Sequence, residues 1–462
     1  MSGTATPLLR ATGSQLAQYF RYRCDRKLRW ELEPGAEGVP RAEVRPGMGL
    51  LAAAGRRFER RKIATLVRRF GAEAVLTGGT TPAGDARALD AGRVLEVLQN
   101  PGPVRFLVQP RLWLPDAEAF AARHGIHASL VSFAPAHPDL VRIGRGRDGR
   151  LRLGVVDVKW SRERAVHHFA QVAFYVLLLE EIVRAHGIDA DVDTRWGWVW
   201  NRGSRAPRRF ALAAYRHHVE RFLREDLPRV AQQEPAEAPW HLSPACAGCG
   251  FFAHCRAQAD AADDLARVPG LTPLAKTVLA GRGIRTVADL NRRGIKAGTY
   301  AGCHALESGE GALKKRAMAL SYRRMVEQEK QTQLLGEGER VRIVLSAEGD
   351  PVSGTVFALG FRAERAGARP VTEVILSRAG THAGESEMLR AFVDRLGQTA
   401  TSMLAAGTGA AEGRRGPKPL HAFVYDRAEL ELLRGLLHRH MADADAQPGI
   451  AALAGVLFPS GG

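Results

Sequence analysis

Apolar and polar positions follow different rhythms along this chain, and the changes of rhythm divide it into three segments. From residue 1 to about 258, strand-like and helix-like stretches take turns. HPDLVRI (His137 to Ile143) and LRLGVVDVKW (Leu151 to Trp160) read as the strands of a hairpin turned by the glycine-rich GRGRDGR between them. The second strand is apolar until it ends in Asp157 and Lys159, which leave one face because side chains alternate along a strand. Helices are expected over SQLAQYFRYRCDRKLRW near the N-terminus, around Gly55 to Phe70, and around the apolar run Val172 to Leu179. From 259 to 337 the chain turns small and helical, with Pro269-Gly270 and Gly281-Arg282-Gly283 punctuating two short amphipathic stretches. The polar stretch EQEKQTQLLGEGER closes that segment. Strand patterns then resume at VRIVL (341 to 345), TVFALGF (355 to 361) and VTEVIL (371 to 376). A helix around Ser386 to Leu396 and a last strand at LHAFVY follow. No internal repeat is visible.

Composition narrows the classes. The 462 residues are 45% hydrophobic, enough for real cores, and the longest apolar run falls well short of the roughly 20 residues that span a bilayer. The N-terminus lacks the charged and apolar regions of a signal peptide. Five cysteines are too few and too odd in number for a disulfide scaffold, so a cytoplasmic location is expected. Lys and Arg number 66 against 49 Asp and Glu, a net charge of +17 that favours a polyanionic partner, unless the surface is simply arginine-rich. The basic residues gather in GRRFERRKIATLVRRF (55 to 70) and RIGRGRDGRLR (142 to 152).

Candidate chemistry lies in the first segment. Cys24 stands alone near its start, and Cys246, Cys249 and Cys255 close it as C-x2-C-x5-C. One tetrahedral site can use all four only if the two ends of the segment meet. Such a set holds Zn²⁺ or an iron-sulfur cluster equally well on spacing alone. Between the ends, Asp139 and Asp157 flank the hairpin and Lys159 follows at i+2. Glu59 lies on an expected helix, and Gln171 and Tyr175 share a helical face at i, i+4. Paired carboxylates beside an ammonium can anchor a divalent metal and steady charge on a phosphate under attack. Taken singly, each element also has a plain reading as a surface salt bridge or a groove-lining pair.

Taken in order, Glu59, Asp139, Asp157-Val158-Lys159 and Gln171-x3-Tyr175 inside the cysteine bracket resemble the PD-(D/E)xK nucleases of the RecB and AddB type that carry an iron-sulfur cluster. The resemblance implies an α/β, restriction-endonuclease-like core over residues 1 to 258. It implies Mg²⁺ or Mn²⁺ held by Glu59, Asp139, Asp157 and the Val158 carbonyl, with Lys159 orienting or activating water and stabilising the phosphate. Gln171 and Tyr175 match the motif that contacts DNA or supports the metal. Cys24, Cys246, Cys249 and Cys255 would hold a [4Fe-4S] cluster of structural role. Many relatives place a His ahead of the first-motif Glu, and none stands between Met1 and Glu59 here; His137, His167 and His168 read as surface or phosphate contacts. Cys303 reads as a buried bystander.

Residues 259 to 337 resemble a helix-hairpin-helix domain, with VPGL (268 to 271) and GRGI (281 to 284) offering backbone N–H groups to a phosphate; a helical spacer fits as well. Residues 338 to 462 resemble an α/β RNase H-like domain. Active members begin with D-x-E, whereas this chain has Ser346-Ala347-Glu348, so the domain reads as catalytically inert although Glu348 and Asp426 remain. The expectation is a metal-dependent DNase acting on single-stranded or unwound DNA in repair, recombination or defence, with a helicase or other subunit as the implied partner class and no membrane. The alternative is a nonenzymatic nucleic-acid-binding adaptor that keeps a nuclease fold.

Overall fold

The computed structural model describes residues 9–44, 47–127, 129–161, 164–295, 300, 302–308, 310–326, 341–405, 420–443 and 448–458. The polar stretch 327–340 and residues 406–419 lie outside them. The chain is mixed α/β and forms two compact units, Met1–Gln328 and Glu329–Gly462.

In the first unit, strands β1 (Leu9–Ala11) and β4 (Val131–Phe133) pair in parallel beside a larger mixed sheet. That sheet runs β2 (Val75–Leu76), β3 (Phe106–Val108), β5 (Leu140–Arg145), β6 (Leu151–Lys159), β8 (Trp196–Asn201), β9 (Arg208–Ala211), with β7 (Ala190–Val192) also against β6. The expected hairpin is present: β5 and β6 pair antiparallel with Leu140 opposite Val156. β6 then pairs in parallel with β8, Asp157 lying opposite Val199.

Helix α1 (Gly13–Tyr22) is fixed by Thr12, whose side chain accepts from the Gln15 amide while Gln15 returns a bond to the Thr12 N–H. The single N-terminal helix expected from the sequence is in fact two. Arg23 takes a left-handed conformation (φ 48°), ends α1, and hands Cys24 to the start of α2 (Asp25–Leu32). α3 (Met48–Phe70) spans the expected basic helix, and α4 (Ala91–Gln99) and α5 (Ala117–His124) are both capped by aspartates, Asp90 and Asp116.

α6 (Val166–Ala185) is apolar all round because it is enclosed all round, with Val172, Ala173, Val176, Leu177, Leu179 and Ile182 fully buried. By length and composition it could cross a membrane, but here most of it is covered by its own unit. Leu151, Leu153 and Val155 of β6 face the cluster around α6, whereas Val156 joins Leu140, Trp198, Trp200 and Leu66 of α3 on the other side. The sheet is therefore buried on both faces, which explains why β6 reads as a continuous apolar run rather than an alternating one.

The rest of the unit is helical. α7 (Ala213–Arg221) continues through a π turn at Phe222–Asp226 into α8 (Leu227–Ala231), and α9 (Phe252–Ala261) follows the cysteine-rich turn. α10 (Pro273–Gly281), α11 (Val287–Arg293), α12 (His304–Glu307) and α13 (Glu310–Tyr322) enclose a small separate core of Leu265, Leu279, Val287, Leu290, Leu306 and Ala317. Cys303 is buried in it.

The second unit holds a four-stranded sheet in the order β12 (Val371–Leu376), β11 (Val356–Glu364), β10 (Val341–Gly349), β13 (Leu420–Val424). β10, β11 and β12 form an antiparallel meander and β13 joins β10 in parallel. Helices α14 (His382–Ala405), α15 (Arg427–Arg439) and α16 (Pro448–Leu457) supply the rest of its core. β10 runs past the expected VRIVL because SAEG keeps the alternation, and α14 is longer at both ends than expected. Ser346 and Glu348 stand on the exposed face of β10, where the Ser346 hydroxyl donates to Glu429 at 3.0 Å. Asp426 caps α15 by accepting from the Glu429 amide, a structural duty for an acid that the sequence left as a spare ligand.

Candidate functional site

The C-terminal end of β6 is where the predicted acidic residues meet. Asp139, one residue before β5, turns its Oδ2 to the Val158 amide, which donates at 2.6 Å. Val158 thus enters the site through its N–H, locking the two strands of the hairpin at that point. Asp157 is 1% exposed, and its Oδ1 accepts an ion-paired hydrogen bond from Lys159 Nζ at 2.7 Å. Its other oxygen, Oδ2, is buried without a hydrogen-bond partner. Asp139 lies close enough to Asp157 for the two carboxyls to act on each other's charge.

Glu59 reaches the same region from α3 and is held by Gln109, whose Nε2 donates to Glu59 Oε1 at 2.6 Å. Burial, with Asp139 adding its charge, pushes the Glu59 carboxyl up to about 7. Asp139 is likewise raised to about 7, by burial and by Asp157, against the pull of Lys159 and the Val158 amide. Burial works against the Lys159 ammonium, but Asp157 and Asp139 outweigh it and hold the group above its ordinary range. From α6, Gln171 donates to the Tyr175 hydroxyl at 2.7 Å. Burial and the nearby Asp157 suppress ionisation of that phenol.

Two features were not read from the sequence. Gln109 adopts a left-handed conformation (φ 47°) that non-glycine residues seldom take, and its backbone N–H donates to the Asp139 carbonyl at 2.9 Å. One residue therefore ties Glu59 to Asp139, and nothing in FLVQP announces it. His168 corrects an expectation: it is 7% exposed rather than a surface contact, and His167 beside it is half-buried. Burial and the neighbouring Lys159 and Arg21 drive both imidazoles down to about 4, so they are neutral at ordinary pH. His137 is exposed, as expected.

The four cysteines also converge. Cys24 lies at the start of α2, Cys246 and Cys249 on the turn around Pro244–Gly248, and Cys255 on α9, and all four line one small cavity of about 20 Å³ with Arg26, Lys27, Trp30 and Phe251. Burial raises the Cys24 thiol to about 11, and the other three sulfurs add to it. Every sulfur faces an N–H donor: the Lys27 amide for Cys24, the Ser243 amide for Cys246 at 3.4 Å, the Phe251 amide for Cys249 and the Arg26 guanidinium for Cys255. Hydrogen bonds and ring packing also join these two distant stretches of the chain. Arg26 Nη1 donates to Gln258 at 2.6 Å, Trp30 Nε1 to the Pro235 carbonyl at 2.9 Å, and Trp30 meets Phe251 edge-on.

As donor sets, both places suit a cation: the first offers an unsatisfied buried carboxylate oxygen among hard oxygen ligands, the second offers four sulfurs already supplied with N–H donors. Among the described residues, however, no three His, Cys, Asp or Glu side chains are drawn up into a finished cation-holding group. No protein-family model, curated protein or solved structure matches the chain.

Proposed function

We propose that the chain is a metal-dependent deoxyribonuclease of the PD-(D/E)xK type, hydrolysing phosphodiester bonds at the end of β6. The observation that carries this reading is the buried, unpartnered Asp157 Oδ2 beside Asp139 and Lys159, because an uncompensated carboxylate oxygen is costly unless a ligand claims it. Asp157, Asp139, Glu59 and the Val158 carbonyl are the groups to hold Mg²⁺ or Mn²⁺, which when bound acts as a Lewis acid on the phosphate and lowers the pKa of water.

The chain's own residues then divide the work. Lys159, kept protonated by its two carboxylates, is a fixed positive charge for the phosphate and is unsuited to accept a proton. Glu59, raised to about 7 in the metal-free chain, must give up its proton before it can act as a ligand, and Gln109 orients it. Gln171 and Tyr175 offer a neutral hydrogen-bonding pair for the backbone of the strand.

The four-cysteine cavity is proposed to hold a [4Fe-4S] cluster that ties α2 to the turn before α9; its small volume makes Zn²⁺ the second reading. Iron, sulfide and zinc contents of anaerobically purified protein separate the two.

The decisive experiment is cleavage of end-labelled single- and double-stranded DNA with Mg²⁺ or Mn²⁺. Wild type is expected to cut, and Asp157→Ala and Lys159→Ala to lose on the order of 10²-fold or more in rate while still binding DNA. Undiminished cutting by Asp157→Ala would remove the site assignment. Binding without cutting by wild type would favour the adaptor alternative.

A further inference from the structure

On the opposite side of the sheet from α6, the structure has a second concave site. A cavity of about 290 Å³ is lined by Arg69 and Phe70 of α3, Arg105 and Phe106 at β3, Arg142 of β5, Trp198 and Trp200 of β8, and Arg205. Its lining contains four guanidinium groups and not one carboxylate. Among the described residues none of the four arginines forms an ion pair, whereas Arg150, Arg152, Arg216 and Arg229 elsewhere in the same unit are all matched with acids. Four like charges gathered around one hollow repel one another unless an anion is shared between them.

The floor beneath them is aromatic and built for flat groups. The WGWVWN pattern of β8 puts Trp196, Trp198 and Trp200 on one face, and each carries a cation over its ring: Arg209 at 4.5 Å, Arg142 at 4.4 Å and Lys62 at 4.6 Å. Gly154 of β6 makes the middle stack possible. A Cβ there would stand 2.6 Å from the Trp198 ring and 3.1 Å from the Arg142 side chain, so only glycine lets the arginine of β5 reach across β6 to the indole of β8. Arg69 and Arg142 also belong to the two basic runs of the sequence, which therefore converge here.

We infer that this cavity binds a nucleotide, its phosphate on the Arg69, Arg105, Arg142 and Arg205 cluster and its base against Phe70, Phe106 and the guanidinium plane of Arg142 that covers Trp198. Guanidinium pairs suit phosphate oxygens, stacking on aromatic and guanidinium planes suits any base, and a cavity of this size accepts one such unit. The nucleotide can be free or part of a strand. The inference goes beyond the cleavage site, since the lining excludes Asp139, Asp157 and Lys159.

The test uses the full chain carrying Asp157→Ala, so that nothing is cut, and follows tryptophan fluorescence during titration with deoxyadenosine 5′-phosphate, a 5′-phosphorylated single-stranded oligonucleotide, deoxyadenosine and inorganic phosphate. Expected is saturable quenching by the nucleotide or the oligonucleotide, with deoxyadenosine and phosphate each about tenfold weaker or worse. Arg105→Ala with Arg142→Ala should weaken the ligand by about tenfold or more, and Arg69→Glu with Arg205→Glu, which alters exposed side chains only, should do the same in a chain of unchanged thermal stability. Competition by free nucleotide against oligonucleotide identifies a mononucleotide site, and quenching by the oligonucleotide alone identifies a strand site. No saturable quenching, equal binding of inorganic phosphate, or indifference to both sets of substitutions would overturn the inference. Cleavage by wild type is scored separately, so a failed nuclease assay leaves this result standing.

Discussion

Asp139 and Glu59 show how a few buried charges can set the behaviour of a site before any ligand arrives. Both are raised to about 7, so near neutrality each is only partly ionised. In the unfolded chain both titrate near 4, so between about pH 4 and 7 the folded chain binds protons that the unfolded chain has released. The stability these protons contribute is full below the unfolded pKa and is lost as pH rises through about 7. His167 and His168, driven down to about 4, act in the opposite sense up to about pH 6.5, so metal-free protein should show a falling urea midpoint only from about pH 6.5 to 8, and Mg²⁺ should restore it at the upper end. Asp139→Asn should remove one member of the repelling set and stabilise the metal-free chain at pH 8 by about 1–2 kcal/mol after solvent screening, while abolishing cleavage. A midpoint indifferent to pH would mean that these carboxyls are not crowded. Because a divalent ion must displace those protons, the rate should rise with pH through about 7.

At the scale of elements, the site depends on how closely α1 lies against α6. Gly13 opens α1, and a Cβ at that position would come within 2.8 Å of the Tyr175 ring and 3.2 Å of Phe174. Gly13→Val should cost roughly 1–3 kcal/mol by overpacking and should lower cleavage more than DNA binding, since the ring it displaces is the one Gln171 holds. Thermal midpoints and rates on the same preparations would check this, and an undisturbed rate would detach Tyr175 from the chemistry. The hairpin of β5 and β6 was legible because its apolar runs and glycine-rich turn leave a local signature, and Asp157 and Lys159 followed from the two-residue period. The break at Arg23 was not, because a single left-handed residue between two helical patterns leaves no mark in composition or periodicity. Gln109 was invisible for a similar reason: its role depends on Glu59 of α3, fifty positions away in sequence and adjacent only once the sheet has formed. The aromatic face of β8 could be counted in the sequence, but its cations come from α3, β5 and β9, which no local pattern connects.

Taken whole, the chain carries its charge unevenly between paired and unpaired arginines. Arg150 and Arg152 of the second basic run are spent on Asp189 and Asp191, and Arg60 of the first on Asp85, so net charge overstates what is available for a polyanion. The bracket of cysteines spans a longer range, because Cys24 at the start of α2 and Cys255 of α9 line one cavity. If the cavity carries a metal centre, Cys24→Ser should lower the unfolding free energy of the first unit by more than ~3 kcal/mol and reduce cleavage only in proportion to the folded fraction. An unchanged midpoint would mean that the hydrogen bonds of Arg26 and Trp30 suffice alone. The placement of these sulfurs also dictates an order of assembly. During synthesis Cys24 leaves the ribosome more than two hundred residues before its three partners, and the site cannot be completed until α9 has emerged. If the cavity carries a metal centre, loading it is therefore a checkpoint that only a fully translated domain can pass.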